Sequence, residues 1–337
     1  SGIFASPMSR ASIDHALFLY GGGVSRIEGT FAGFNVVELH QAEARIANSV
    51  FQFNADGTGG QGAQQDPGRL GRGPNDQAVI FVRGSQPVIV DNVIRDNVGD
   101  LDTEQAAAIS INVNSLNHVI TADPGRTTGL IDRVADLDGN QGALVRDNQL
   151  ENNAINGMVV RGGTLTTEGV WDDTDIVHVL QDLVHVTDFH TYGGLRLQSS
   201  GSESRVVKLE GDTAGFRADG RPLEIDDRIG GVIQIIGQPR HPVVITSLED
   251  DAVGAGYTPD GGPQVDTNNN GLVAESAGDE TNVEITINTN ASSDDPDLRA
   301  RFDEAIAIWE SLLQDPVSLS FDVLVDPDTP SGGGFMA

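Results

Sequence analysis

A chain of 337 residues can bury a sizeable core, and 41 Gly and 14 Pro with only 5% aromatic residues punctuate it as a many-turned β protein rather than a large globular enzyme. A hydrophobic content of 38% excludes disorder, and 50 acidic against 20 basic residues give a net charge of −30 that repels nucleic-acid phosphates and anionic membranes. The absence of cysteine excludes a disulfide framework and a thiolate zinc site.

In chain order, an alternating strand closed by Gly or a small polar residue recurs as "ALFLYGG" (16–22), "AVIFVRGS" (78–85), "AAISINVNS" (107–115), "NGMVVRGG" (156–163) and "GGLRLQSS" (193–200). A second unit, a strand carrying Asn and another Asn five or six residues on, recurs as "IANSVFQFN" (46–54), "VDNVIRDN" (90–97) and "VRDNQLENN" (145–153). This places Asn48, Asn92 and Asn148 in one column and Asn54, Asn97 and Asn153 in a second. A strand–turn–strand unit of roughly 20 residues cannot bury its inward side chains alone, so it is stable only when the next unit stacks on it. Stacking forms columns of Val, Ile, Leu and Phe, with turn Asn tolerating left-handed backbone and bonding along the stack. The spacing between copies is irregular, as loops of different length between short coils would make it.

These columns, over about residues 12–200, resemble the right-handed parallel β-helix of the pectin-lyase-like kind, in the form found in giant acidic exoproteins of aquatic bacteria. The stretches 171–211 and 221–261 resemble a module of those exoproteins. The resemblance implies an all-β fold, a right-handed parallel β-helix solenoid over 1–262 whose 171–262 portion continues or caps it. It does not imply an activity, because the fold hosts lyases, hydrolases, adhesins and stalks. Polysaccharide hydrolases of the family combine clustered carboxylates with Gly-His-Gly and Arg-x-Lys. This chain has the pairs Asp172-Asp173 and Asp226-Asp227 without the other two parts, so no residue is nominated as catalytic.

His178, His185 and His190 follow Asp172, Asp173 and Asp175. On strands, His178 and His190 face one way and His185 the other, so half-exposed histidines outweigh a metal centre. "DTNNNG" (266–271) is the better ion candidate: Asp266, Asn268 and Asn270 alternate as oxygen donors and Gly271 allows a sharp turn, the opening of a calcium loop. The twelfth position is Ala277, so an EF-hand is excluded and calcium competes with a plain polar linker over 263–295.

At 296–337 the character changes. Leu298, Phe302, Ile306, Trp309 and Leu313 share one face of a helix over 296–313, and "VSLSFDVLV" (317–325), with Phe321, alternates as a strand. This helix–strand appendage weakly resembles the opening of secreted metalloprotease domains, but no His-Glu-x-x-His follows. Alternatively it caps the solenoid, or docks on a second copy. No apolar run approaches the roughly 18 residues of a membrane span, so direct insertion is not expected. The first residues, Ser-Gly-Ile, and the last, Gly-Gly-Gly-Phe-Met-Ala, read as ends of a piece processed from a larger secreted precursor. The expectation is an extracellular or cell-surface structural or adhesive protein that associates with itself end to end through Phe302, Ile306, Trp309 and Phe321. A polysaccharide is the other expected partner. The alternatives are a polysaccharide-acting enzyme and a non-catalytic portion of a metalloprotease precursor.

Overall fold

The computed structural model describes residues 2–27, 30–55, 75–97, 106–121, 123, 139–187, 194–211, 213–220, 230–271, 285–289 and 319–323. Among the described residues the chain is all-β, and the helical turn it contains is a short 3-10 segment, Val113–Ser115. The largest sheet, sheet 1, has eight parallel strands: Ile3–Ala5, Val37–His40, Ala78–Arg83, Ala107–Asn112, Ile155–Arg161, His178–Leu180, Arg205–Leu209 and Val243–Ser247.

Between successive strands of sheet 1 the chain visits two further sheets. For four passes these are sheet 2 (Arg10–Asp14, Glu43–Ala47, Val88–Val90, Leu144–Arg146) and sheet 3 (Leu17–Leu19, Val50–Gln52, Val93–Asn97, Gln149–Asn153). From the fifth pass they are sheet 4 (Gly163–Leu165, Leu183–Val186, Gly215–Ala218) and sheet 5 (Gly169–Trp171, Leu195–Gln198, Ile233–Ile236). The strands of "AVIFVRGS", "AAISINVNS" and "NGMVVRGG" therefore share sheet 1. Those of "ALFLYGG" and "GGLRLQSS" belong to sheets 3 and 5, so the five copies of similar sequence occupy three different sheets.

Period-two alternation explains the core. On sheet 2, Ile13, Ile46, Ile89 and Val145 stand in register, and on sheet 3 so do Phe18, Phe51, Ile94 and Leu150, with Phe18 and Phe51 stacked at 4.6 Å. On sheet 1 the inward column runs Val37, Ile80, Ile109, Met158, His178, Val207 and Ile245. Each fully buried aliphatic side chain there contributes roughly 1.5–3 kcal/mol of transfer free energy. A Cβ at Gly194, whose φ is +68°, would lie 1.9 Å from the Val232 carbonyl oxygen, so only glycine lets the sheet 5 strands pair at this point.

The corners are one left-handed residue long. Between sheets 2 and 3 this residue is His15, Asn48, Asp91 and Asp147, and at the far end of sheet 3 it is Tyr20, Phe53, Asp96 and Asn152, all with φ between 50° and 60°. The residue after each carries the ladder. Asn54 N–H donates to Asn97 Oδ1 at 3.0 Å, and Asn97 Nδ2 to Asn153 Oδ1 at 2.8 Å. The other ladder departs from expectation. Asn92 N–H donates to Asn148 Oδ1 at 3.2 Å, but it is Ser49, not Asn48, whose N–H donates to Asn92 Oδ1 at 3.0 Å. Asn48 stands one residue earlier as the turn itself, because pairing Val50 with Val93 aligns Ser49 with Asn92.

Sheets 2 and 3 end at the fourth pass, and other groups satisfy their edges. The carboxylates of Asp172 and Asp173 accept the N–H groups of Gln141 and Val145 at 3.0 Å each, and Asp175 accepts that of Asp147. On sheet 3, Leu150 N–H donates to Tyr257 O at 3.1 Å and Gln264 Nε2 donates to Leu150 O at 2.9 Å. The segment that supplies these groups is pinned to the outer side of sheet 1 by Lys208, whose buried ammonium donates to the carbonyls of Asp250 (2.6 Å) and Val265 (3.2 Å). His178–Leu180, Arg205–Leu209 and Val243–Ser247 thus extend sheet 1, while Asp172, Asp173, Asp175, Tyr257 and Gln264 bond the edges of sheets 2 and 3.

Farther on, Ile285–Thr289 and Leu319–Val323 pair in parallel, with Phe321 opposite Ile287. The expected helix, with Phe302, Ile306 and Trp309, lies outside the described residues, as do His190 and the Asp226-Asp227 pair.

Candidate functional site

The corner between sheets 1 and 2 opens into a groove of about 900 Å³. Its floor comes from consecutive passes: Met8, Gln41 and Gly84 turn the chain at φ 62°, 50° and 60°, and Arg10, Glu43 and Gln86 follow. Side chains replace a backbone ladder here. Ser85 Oγ accepts the Ala42 N–H at 2.9 Å, and Ser115 Oγ accepts the Ser85 N–H at 3.2 Å.

One wall is an excursion within the fourth pass. Residues 117–121 are tied back by Gly142 N–H on Val119 O at 2.8 Å, by Thr121 N–H on Asn140 O at 2.9 Å and by the Thr121 hydroxyl on Gly142 O. Arg45, buried on the outer side of sheet 2, reaches Asp123 of this excursion at 3.3 Å. At the junction of floor and wall, Asn117 Oδ1 accepts from Gln86 Nε2 at 2.6 Å and from Val119 N–H at 2.9 Å.

The groove's chemistry is amide and hydroxyl with a self-neutralised charge pair. Arg10 Nε lies 2.6 Å from Glu43 Oε2, with both side chains more than half exposed, so the pair adds little stability and keeps both heads available to a ligand. Val119 and Ile120 supply exposed apolar surface beside it. Gly84, Ser85 and Ser115 close two of the repeated strands, but Arg10, Glu43, Gln86 and Asn117 stand in no motif that sequence reading would single out. The available signal was the break in repeat spacing between "AAISINVNS" and "VRDNQLENN", where the walling excursion is inserted.

The residues singled out in sequence separate into distinct environments. His178 is fully buried in an apolar column against Trp171 (ring centroids 5.3 Å apart), and burial followed by the nearby Arg205 charge pushes its pKa well below the usual imidazole range. His185 faces outward and bonds Asp219 at 2.5 Å. Arg205 Nη1 lies 2.9 and 3.1 Å from the two ring nitrogens of His178 and donates to Asp173 O. Burial lowers the Arg205 pKa to about 10 and raises that of Asp175 to about 6, and burial followed by repulsion from Asp172 raises Asp173 well above the carboxylate range. The three aspartates are engaged in closing sheet 2.

In "DTNNNG", Asp266 accepts the N–H groups of Asn270 and Gly271 at 3.1 Å each. Asn268 and Asn270 are brought together on a residue that the motif did not include: both side-chain amides donate to Glu249 Oε2, at 2.8 and 2.9 Å. Among the described residues no group of three His, Cys, Asp or Glu side chains is placed to hold a metal.

No family model, curated protein or solved structure matches this chain.

Proposed function

We propose that the chain is a right-handed parallel β-helix serving as an extracellular structural and adhesive protein, with an extended neutral polysaccharide lying in the groove between sheets 1 and 2. The parallel pairing and the return of the chain to sheet 1 on every pass support the β-helix, and parallel crossovers are right-handed in nearly all sheets. The groove carries the ligand reading. Its amides, hydroxyls and Arg10–Glu43 pair match sugar hydroxyls, and its charges cancel locally in a chain of net charge −30 that repels acidic polymers.

Binding is favoured over cleavage because glycoside hydrolysis uses two carboxyl groups about the scissile bond, whereas the groove's lining carboxylate, Glu43, is paired with Arg10. Electrophoresis through gels containing neutral glucan, neutral xylan or polygalacturonate tests this. Retardation by a neutral polymer that is lost in Arg10→Ala and Gln86→Ala supports the groove. Release of reducing ends would convert the reading to an enzyme, and free migration in every gel would refute it.

Self-association is the second element of the proposal. The sheet 5 strand Ile233–Ile236 pairs on one side with Leu195–Gln198, and its Ile235 and Ile236, with Val232, are exposed. Among the described residues its other edge is unpaired, and the 296–325 segment of a second copy, which carries Phe302, Ile306, Trp309 and Phe321, is the element that would add to it.

A further inference from the structure

The corner at the far end of sheet 3 contains a feature that neither the fold nor the groove accounts for. Its left-handed residues are Tyr20, Phe53, Asp96 and Asn152, with φ of 53°, 57°, 55° and 51°. Asp and Asn tolerate this region because their short side chains bond locally, but Tyr and Phe are strained there. Burial does not compensate, since Tyr20 is 77% and Phe53 48% exposed. The two rings stack on one another, 5.9 Å between centroids at 20°, presenting an aromatic surface to solvent. Leu17 and Leu19 extend it, exposed on the outer side of the first strand of sheet 3.

The next pass supplies a polar rim. Asp96 accepts Gln52 Nε2 and Asn152 Nδ2 at 2.8 Å each, and Arg95 Nε lies 3.8 Å away. We propose that Tyr20 and Phe53 form a stacking platform for a pyranose ring of a neutral saccharide, whose hydroxyls are taken by Asp96, Gln52 and Arg95. The electron-rich ring faces attract the polarised C–H groups on one side of a pyranose. A rim of carboxylate, amide and guanidinium beside an aromatic face offers both acceptors and donors to equatorial hydroxyls. Asp96 and the net charge of −30 disfavour a phosphate-bearing ligand.

This deepens the adhesive reading and rests on it, with a second contact point at a different corner from the groove. Asn is the natural left-handed residue, so Tyr20→Asn and Phe53→Asn remove the rings and relieve strain together. Titration calorimetry of the full chain with cellohexaose and with maltohexaose, alongside melting curves, reads both effects. The expected result is binding weakened about tenfold or more by either variant, the loss of one stacked aromatic contact, with melting temperature unchanged or raised. Binding unchanged in the double variant overturns the platform. So does a lowered melting temperature, which would make the rings structural, or an oligomer that the double variant converts to monomer, which would make them a self-contact. Binding lost only in Arg10→Ala and Gln86→Ala leaves the groove standing and removes the platform, whereas no binding by the unmodified chain removes both.

Discussion

The amide ladder is a strong internal constraint, and Asn97 is the residue on which its worth is most directly measured. Its side chain is 1% exposed and makes four hydrogen bonds: Oδ1 accepts from Asn54 N–H and Asn54 Nδ2, at 3.0 Å each, and Nδ2 donates to Phe51 O (3.1 Å) and Asn153 Oδ1 (2.8 Å). Asn97→Ala removes all four and leaves the Asn54 N–H and the Phe51 carbonyl in a space that water does not reach. At about 1 kcal/mol net per bond, the expected loss is about 4 kcal/mol. The matched control is Asn48→Gly: Asn48 is exposed, its side chain makes a surface bond to Asp14 at 3.0 Å, and glycine keeps its φ of 51° without strain, so the change should stay within about 0.5 kcal/mol. Urea unfolding followed by circular dichroism at unchanged slope reads the difference. A midpoint for Asn97→Ala as high as that of Asn48→Gly would show that the buried amides do not hold the passes together.

The pH response of the Asp172–Asp175 cluster has a definite sign. Because the folded-state pKa of Asp175 is raised to about 6, its contribution is fully present below the unfolded value of 3.8 and is lost as pH rises through about 6. A shift of about two units corresponds to on the order of 3 kcal/mol, so Asp175→Asn, which keeps an acceptor for the Asp147 N–H, should stabilise the chain at pH 8 and not at pH 4. Equal urea-midpoint shifts at both pH values would contradict the assignment. If calcium replaces the amide hydrogens now on Glu249, with Asp266, Asn268 and Asn270 as its other ligands, millimolar calcium should raise the melting temperature relative to chelator and Glu249→Gln should abolish the rise. Superimposable melts in calcium and chelator would exclude the site. For self-association, light scattering should increase as salt screens the net charge of −30, and deletion of 296–337 should leave a folded monomer by circular dichroism. A full chain that stays monomeric at every salt concentration, or a truncation that unfolds, would assign the segment to its own chain.

Local rules made much of this architecture legible in the amino-acid order. Alternation at period two identified Ala78–Arg83, Ala107–Asn112 and Ile155–Arg161 as strands, and the spacing of Asn54, Asn97 and Asn153 identified a bonded column. Both signals are written within a few residues: side chains alternate across a strand, and Asn bonds at a tight corner. What the order alone left open was which neighbour each segment meets. The spacing placed Asn48 in the ladder, and only setting Val50 opposite Val93 gives that place to Ser49. The parting of "GGLRLQSS" from sheet 1, the closing of sheet 2 by Asp172, Asp173 and Asp175, and the convergence of Arg10, Glu43, Gln86 and Asn117 on one groove likewise depend on contacts tens of residues apart. Register between passes is set by the length of every insertion and by the summed fit of many inward side chains. A one-residue slip sends all of them to the other face, so only the assembled stack selects the pairing.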